Sequence, residues 1–261
     1  MPKLAANLSM LFTNFYFLDR FEAAANCGFK GVEYLFPYNR DAGEIAELLE
    51  KHNLKQVLFN LPAGDWRGGD RGIACDPNRI NEFREGVDVA IDYAKALDCQ
   101  QCNALAGLLP KGVSEEQAHE TLVANLKYAA DRMQTEGVML LAEAINTTSM
   151  PGFFLNNSAQ GFKLVDEVNS RNFAFQYDCF HMQIMEGNLA STIESNLKKI
   201  RHIQIADTPG RHEPGTGEID YKFLLNHLDS IGYDGWVGCE YIPEGYTEDG
   251  LGWIEECGIT L

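Results

Sequence analysis

The sequence predicts an α/β fold in which eight parallel strands close into a (β/α)8 TIM barrel. Three observations carry this expectation. Short runs of β character occur eight times, they alternate with longer segments of helical periodicity, and the alternation fits in 261 residues, a length usual for such a barrel. A doubly wound open sheet is the other arrangement these units could take.

In order, the runs are KLAANLS (3–9), GVEYLF (31–36), KQVLFNLP (55–62), CQQCNALAG (99–107), VMLLAEAIN (138–146), FAFQYDCFH (173–181), IRHIQIAD (200–207) and GWVGCEYIP (235–243). Each is short and mainly apolar, as a strand covered on both faces must be. Between them, NEFREGVDVAIDYAKALD places Phe83, Val87, Ala90, Ile91, Ala94 and Leu97 at helical spacings, which gives one apolar face. SEEQAHETLVANLKYAADRMQ opens with Ser114 and Gln117 at the separation of a capping box. An internal echo supports a repeating βα unit: CGFKGVEYLFP (27–37) and IGYDGWVGCEYIP (231–243) share Gly, aromatic, any residue, Gly, then a strand with Glu-Tyr. In both, the first Gly is expected to end a helix in the left-handed conformation and the second to start the strand. No Gly, Ser or Pro linker divides the chain, so one domain over 1–261 is expected. The longest irregular stretch, AGDWRGGDRGIACDPNR (63–79), would lie over the site face of a barrel as a lid or binding loop.

A formal net charge of −17 opposes a nucleic-acid partner, because displacing condensed counterions takes Lys and Arg. No apolar run approaches the ~20 residues that span a bilayer, and the first residues lack the architecture of an export signal, so a cytoplasmic chain with no membrane partner is expected. Seven scattered cysteines suggest no disulfide framework. CQQC at Cys99 and Cys102 has the spacing of a redox or zinc half-site, but no second pair follows and ordinary buried strand cysteines are the simpler reading.

Barrel active sites form at the C-terminal ends of the strands, so polar residues late in each run matter most. Glu143, Asp178, Gln204 and Glu240 stand there on strands 5, 6, 7 and 8. A lone carboxylate in an apolar strand can be neutralised by a neighbouring Arg, Lys or amide; three on four adjacent strands call for a shared charge, and a divalent cation supplies it. Three carboxylates and an amide oxygen are hard ligands that suit Mg²⁺ or Mn²⁺. His181 follows Asp178 by three residues, and Arg211 and His212 lie after strand 7. Arg211 could grip a substrate carboxylate or hydroxyl, or hold the acidic EPGTGEID loop. Arg67 and Arg71 are weaker candidates for the same task.

The stretches AANLSMLF, GFKGVEYLFPY, FNLPAGDWRGGDRGIA, LLAEAIN, DCFHMQIMEGN, HIQIADTPGRHEPGTGEIDY, GCEYIP and GLGW span nearly the whole chain. Through them the sequence resembles the hydroxypyruvate isomerase family of the xylose isomerase-like TIM barrels. The resemblance implies a divalent metal, Mg²⁺ or Mn²⁺, held by Glu143, Asp178, Gln204 and Glu240. It further implies that Glu143 and Glu240 are catalytic as an acid/base pair and that His181 and Arg211 bind substrate. Epimerase relatives carry His at the third ligand position, whereas this chain has Gln204, as the hydroxypyruvate isomerase branch does. The implied reaction interconverts hydroxypyruvate and 2-hydroxy-3-oxopropanoate (tartronate semialdehyde) through a metal-stabilised enediolate, with a place in glyoxylate and carbohydrate metabolism. Alternatives within the superfamily are a 2-oxo-tetronate isomerase and a ketose 3-epimerase. A non-catalytic metabolite-binding barrel would be expected to lack part of the quartet. The implied partner is a small hydroxy-oxo acid, and a homo-oligomer is possible.

Overall fold

The computed structural model describes residues 2–261. Eight strands, β1 (Lys3–Asn7), β2 (Gly31–Glu33), β3 (Lys55–Asn60), β4 (Gln101–Ala104), β5 (Met139–Glu143), β6 (Phe173–Asp178), β7 (Ile200–Ile205) and β8 (Trp236–Cys239), close into a barrel in sequence order. All eight neighbouring pairs are parallel, including β1 with β8.

The helices around them are α1 (Arg20–Asn26), α2 (Ala42–Lys51), α3 (Ile80–Ala96), α4 (Glu115–Gln134), α5 (Ser158–Val168), α6 (Cys179–Met185), α7 (Leu189–Asn196), α8 (Tyr221–Ser230) and α9 (Trp253–Glu256). The apolar face expected for 81–98 is buried at all six positions of α3 and its C-cap. Ser114 and Gln117 form the capping box of α4, each accepting from the other's backbone N–H. Gly28 and Gly232 have φ of +99° and +80°, as the echo between the two βα units requires.

Two features differ from the simple strand-helix alternation. The run 173–181 is not all strand: β6 stops at Asp178 and α6 begins at the next residue, because the Asp178 carboxylate caps that helix. Two helices therefore lie between β6 and β7, while β8 is followed only by a 3-10 turn and the four residues of α9.

The main apolar core fills the layer between strands and helices. A second cluster of Ala5, Val57, Leu58 and Leu141, packed by Met139, Ala174 and Trp236, draws on the early and middle residues of the strands. Past it, many strands end on polar side chains, so apolar packing gives way to polar groups at the C-terminal mouth of the barrel.

Candidate active site

The four strand-end residues expected to form a site are all buried: Glu143 ends β5, Asp178 ends β6, Gln204 is next to last in β7 and Glu240 follows β8. Pairing of Asp178 with Gln204 and of Gln204 with Gly238 keeps the last three side by side.

Local sequence explains how DCFH is built. Asp178 Oδ1 accepts from the backbone N–H of Phe180 (2.7 Å) and His181 (3.2 Å), an N-cap that uses one carboxylate oxygen and sets His181 in the first turn of α6. Among the described residues, Asp178 Oδ2 is left buried with no hydrogen-bond partner. Glu143 repeats the pattern, with Oε2 accepting from Asn103 Nδ2 at 3.3 Å and Oε1 buried and unpartnered. The imidazole Nε2 of His181 faces both orphaned oxygens, 3.8 Å from Glu143 Oε1 and 3.7 Å from Asp178 Oδ2. Glu240 is better supplied, accepting from Asn7 Nδ2 at 3.1 Å and from Arg211 Nη2 at 2.6 Å.

Ligand atoms of Glu143, Asp178, His181 and Glu240 all lie within 4.8 Å of one another. Burial raises the Glu143 pKa well above the usual carboxylate range, and the charges of Glu240 and Asp178 push it further. Burial likewise lifts Glu240 to about 8, against the opposing pull of Arg211. The His181 imidazole, buried and beside Arg211 as well as Asp178, is lowered to about 4 and is neutral at pH 7. Leaving a buried acceptor unmet costs about 1–3 kcal/mol, more when it is charged. Two such oxygens turned into one space therefore fit a divalent cation.

Gln204 is held within the barrel's polar interior. Its Nε2 donates to Glu33 Oε1 at 2.7 Å, which fixes the amide, and its Oε1 accepts from Gln176 Nε2 at 2.6 Å. The oxygen expected to face a metal thus already carries one hydrogen bond and keeps one lone pair. Glu33, fully buried at the end of β2, also accepts from Asn7 Nδ2 (3.0 Å) and pairs with His202 Nε2 (2.7 Å). Asn7, Glu33, Asn60 and Asn103 were not singled out in the sequence, although each stands late in its strand by the same rule that exposed Glu143. The Glu-Tyr echo was the available signal for Glu33.

Arg211 reaches the site from the β7–α8 loop. Its backbone is held in the left-handed region (φ +60°) by donation of its N–H to Asp207 O (2.9 Å) and of the Ile242 N–H to its carbonyl (2.8 Å). Such a conformation costs a non-glycine residue on the order of 1–3 kcal/mol and tends to persist at functional sites. The guanidinium lies 5.0 Å over Phe180, and its Nε is buried with no partner among the described residues. The other loop groups are structural. His212 Nδ1 lies 2.7 Å from Ile242 O, and Glu213 Oε2 accepts from the Glu244 N–H at 3.1 Å. Asp207 gathers four backbone N–H groups, those of Thr208, Gly215, Gly217 and Ile219, at 2.9–3.0 Å.

In the 63–79 loop, Arg71 stacks on Trp66 (4.6 Å) and donates to Trp66 O and Asp70 O, so it braces the loop itself. Arg67 is exposed. Trp66 packs on Phe36 and Gly72 bridges to Ala106, which ties this loop to the segments after β2 and β4. Cys99 and Cys102 are buried and free. A cavity of about 540 Å³ lined by residues of α4, α5 and the segment before α5 contains none of the strand-end carboxylates.

Comparison with known proteins fits this geometry. A family profile described as xylose isomerase-like TIM barrel matches residues 21–257. Hydroxypyruvate isomerase of Escherichia coli (strain K12) is 51% identical over 255 residues, covering 98% of this chain and 99% of that one. A 2-oxo-tetronate isomerase of Pectobacterium atrosepticum is 46% identical, covering 98% and 97%. Among solved structures, an AP endonuclease, family 2, from Brucella melitensis superposes with a TM-score of 0.96 at 48% identity, covering 98% and 99%. The fold and site therefore define a xylose isomerase-like TIM barrel. Within that class the chain belongs to the hydroxypyruvate isomerase family, a group of isomerases.

Proposed function

We propose that this chain interconverts hydroxypyruvate and 2-hydroxy-3-oxopropanoate by moving a carbonyl one carbon along through an enediolate. The observation that carries the reading is the placement of Glu143 and Glu240, on strands three apart in the barrel, in one buried cluster with His181 and with Arg211 beside it. Glu143, Asp178 and Glu240 would hold a divalent cation, with Gln204 completing the set through its remaining lone pair. Mg²⁺ or Mn²⁺ suits such hard oxygen donors. When bound, the cation supplies positive charge against that developing on the enediolate.

The chain's own groups do the rest. One glutamate takes the proton from the hydroxyl-bearing carbon, the other returns a proton to the neighbouring carbonyl carbon, and the hydroxyl proton passes to the former carbonyl oxygen, so that the carbonyl moves with no net gain or loss of protons; the pair exchanges roles in the reverse direction. Glu240 is lifted to about 8 in the metal-free fold, and beside a bound cation it would return toward the deprotonated form that a general base needs. Arg211 spends one N–H on Glu240 and has further donors, including the unpartnered Nε, for the substrate carboxylate. Neutral His181 offers a ring N–H to a substrate oxygen.

The 46% identity to a 2-oxo-tetronate isomerase supports a second reading in which the same chemistry acts on an acid one carbon longer. Turnover of the two acids side by side separates them. A higher kcat/KM on hydroxypyruvate is expected, and a clear preference for 2-oxo-tetronate would move the assignment to the second. Seven free cysteines support a reducing, cytoplasmic setting.

A further inference from the structure

We infer that Asn146 fixes the tautomer of His181 and so makes that histidine a hydrogen-bond donor to the substrate rather than a ligand of the cation. The reading above supplies only the identity of the substrate; the tautomer follows from the geometry alone.

Asn146 lies three residues beyond Glu143 and is fully buried. Its Oδ1 accepts from the Ser149 backbone N–H at 2.6 Å. Turning the amide over would set its NH2 group against that N–H, so its orientation is determined. The atom facing His181 Nδ1 at 2.6 Å is therefore Nδ2, which has protons and no lone pair to offer. Hence Nδ1 accepts. A neutral imidazole carries one ring N–H, and it must then sit on Nε2.

That N–H points into the space between Glu143 Oε1 and Asp178 Oδ2, at 3.8 and 3.7 Å, too far to be a hydrogen bond to either. A protonated Nε2 cannot coordinate a cation, since an imidazole ligates through a free nitrogen lone pair. The opposite tautomer would add His181 to the three carboxylates as a ligand. A single carboxamide thus decides whether the fourth group of the cluster holds the metal or holds the substrate oxygen on which negative charge develops.

The test is ¹⁵N NMR of histidine-labelled protein, metal-free and with Mg²⁺. Resonances of His181, one of six histidines, are assigned by their loss in His181→Gln. The wild type should show a protonated Nε2 and an unprotonated Nδ1 in both states. Asn146→Asp keeps an acceptor for Ser149 and presents a second acceptor to Nδ1, so the proton should move to Nδ1. Turnover of that variant should fall roughly 10²- to 10⁴-fold in kcat, the range for loss of a correctly protonated catalytic histidine.

A proton on Nδ1 of the wild type, or Nε2 losing its proton to Mg²⁺, would overturn the inference, and the wild-type spectrum decides even if the variant does not fold. Because the tautomer is read without substrate, the expected spectrum in a protein inactive on hydroxypyruvate would contradict the substrate assignment and leave the role of Asn146 standing.

Discussion

Glu240 sits where an apolar strand ends, and burial lifts its pKa to about 8 while Arg211 pulls the other way. Glu143, raised for the same first reason, has less to oppose the shift. In the metal-free fold Glu240 holds a proton between the ordinary carboxylate range and about pH 8 that the unfolded chain has released, and Glu143 is shifted in the same direction. With more protons bound to the native state, stability falls as pH rises through that window. Melting in EDTA should therefore move to lower temperature from pH 6 to pH 9, and a saturating divalent cation should reverse the trend by displacing those protons. A metal-free Tm that climbs over the same range would contradict the assignment. Glu143→Gln and Glu240→Gln should each cut kcat by at least about 10²-fold with the fold intact by circular dichroism; near-normal turnover of either would remove it from the acid/base pair. Glu143, Asp178 and Glu240 were legible because an ionisable group inside an apolar run stands out without any structure. Asn7, Asn103 and Asn146 were not, because an uncharged amide at a strand end reads equally well as a turn residue.

The β7–α8 loop shows what an element contributes beyond its residues. In the sequence, EPGTGEIDY after Arg211 reads as a structural loop that enters the next helix. In the fold it is wrapped around the Asp207 carboxylate, tied to the β8 side by Glu213, and ended by Asp220, which caps α8. That scaffold holds Arg211 over Glu240. Replacing Asp207 with Asn removes charge and half the acceptor capacity facing four N–H groups, a loss of about 3 kcal/mol. The expected signature is a lowered denaturation midpoint together with a raised KM, since Arg211 would no longer be held for the substrate carboxylate; an unchanged KM would separate the loop from binding. Strand β8 carries a similar dependence: a Cβ at Gly238 would overlap the Glu33 carboxylate. Gly238→Ala should therefore destabilise by roughly 1–3 kcal/mol in urea unfolding. Period and punctuation made the helices and strands readable in order. The boundary at Asp178 was missed because FAFQYDCFH continues in apolar character while its capping carboxylate turns the chain into a helix.

The molecule as a whole divides its barrel interior between an apolar cluster that packs the fold and a polar mouth that holds the candidate site, and both follow from where polar residues fall along eight strands. Strand count and the Gly-bounded echo made the barrel legible; closure between β1 and β8 is a long-range pairing no local pattern encodes. A net charge of −17 also acts at this scale. It repels a polyanion, so incubation with an abasic-site duplex should leave the DNA uncut, whereas cleavage dependent on Asp178 and Glu240 would redirect the functional reading. The metal-assisted acid/base chemistry is tested most directly by the rate of hydroxypyruvate isomerisation by EDTA-stripped protein before and after Mg²⁺ or Mn²⁺ is restored, with Glu240→Gln measured in parallel. Turnover should be negligible without metal, recover with it, and be absent in the variant under either condition. Full activity of the stripped wild type, or recovery in Glu240→Gln, would contradict it.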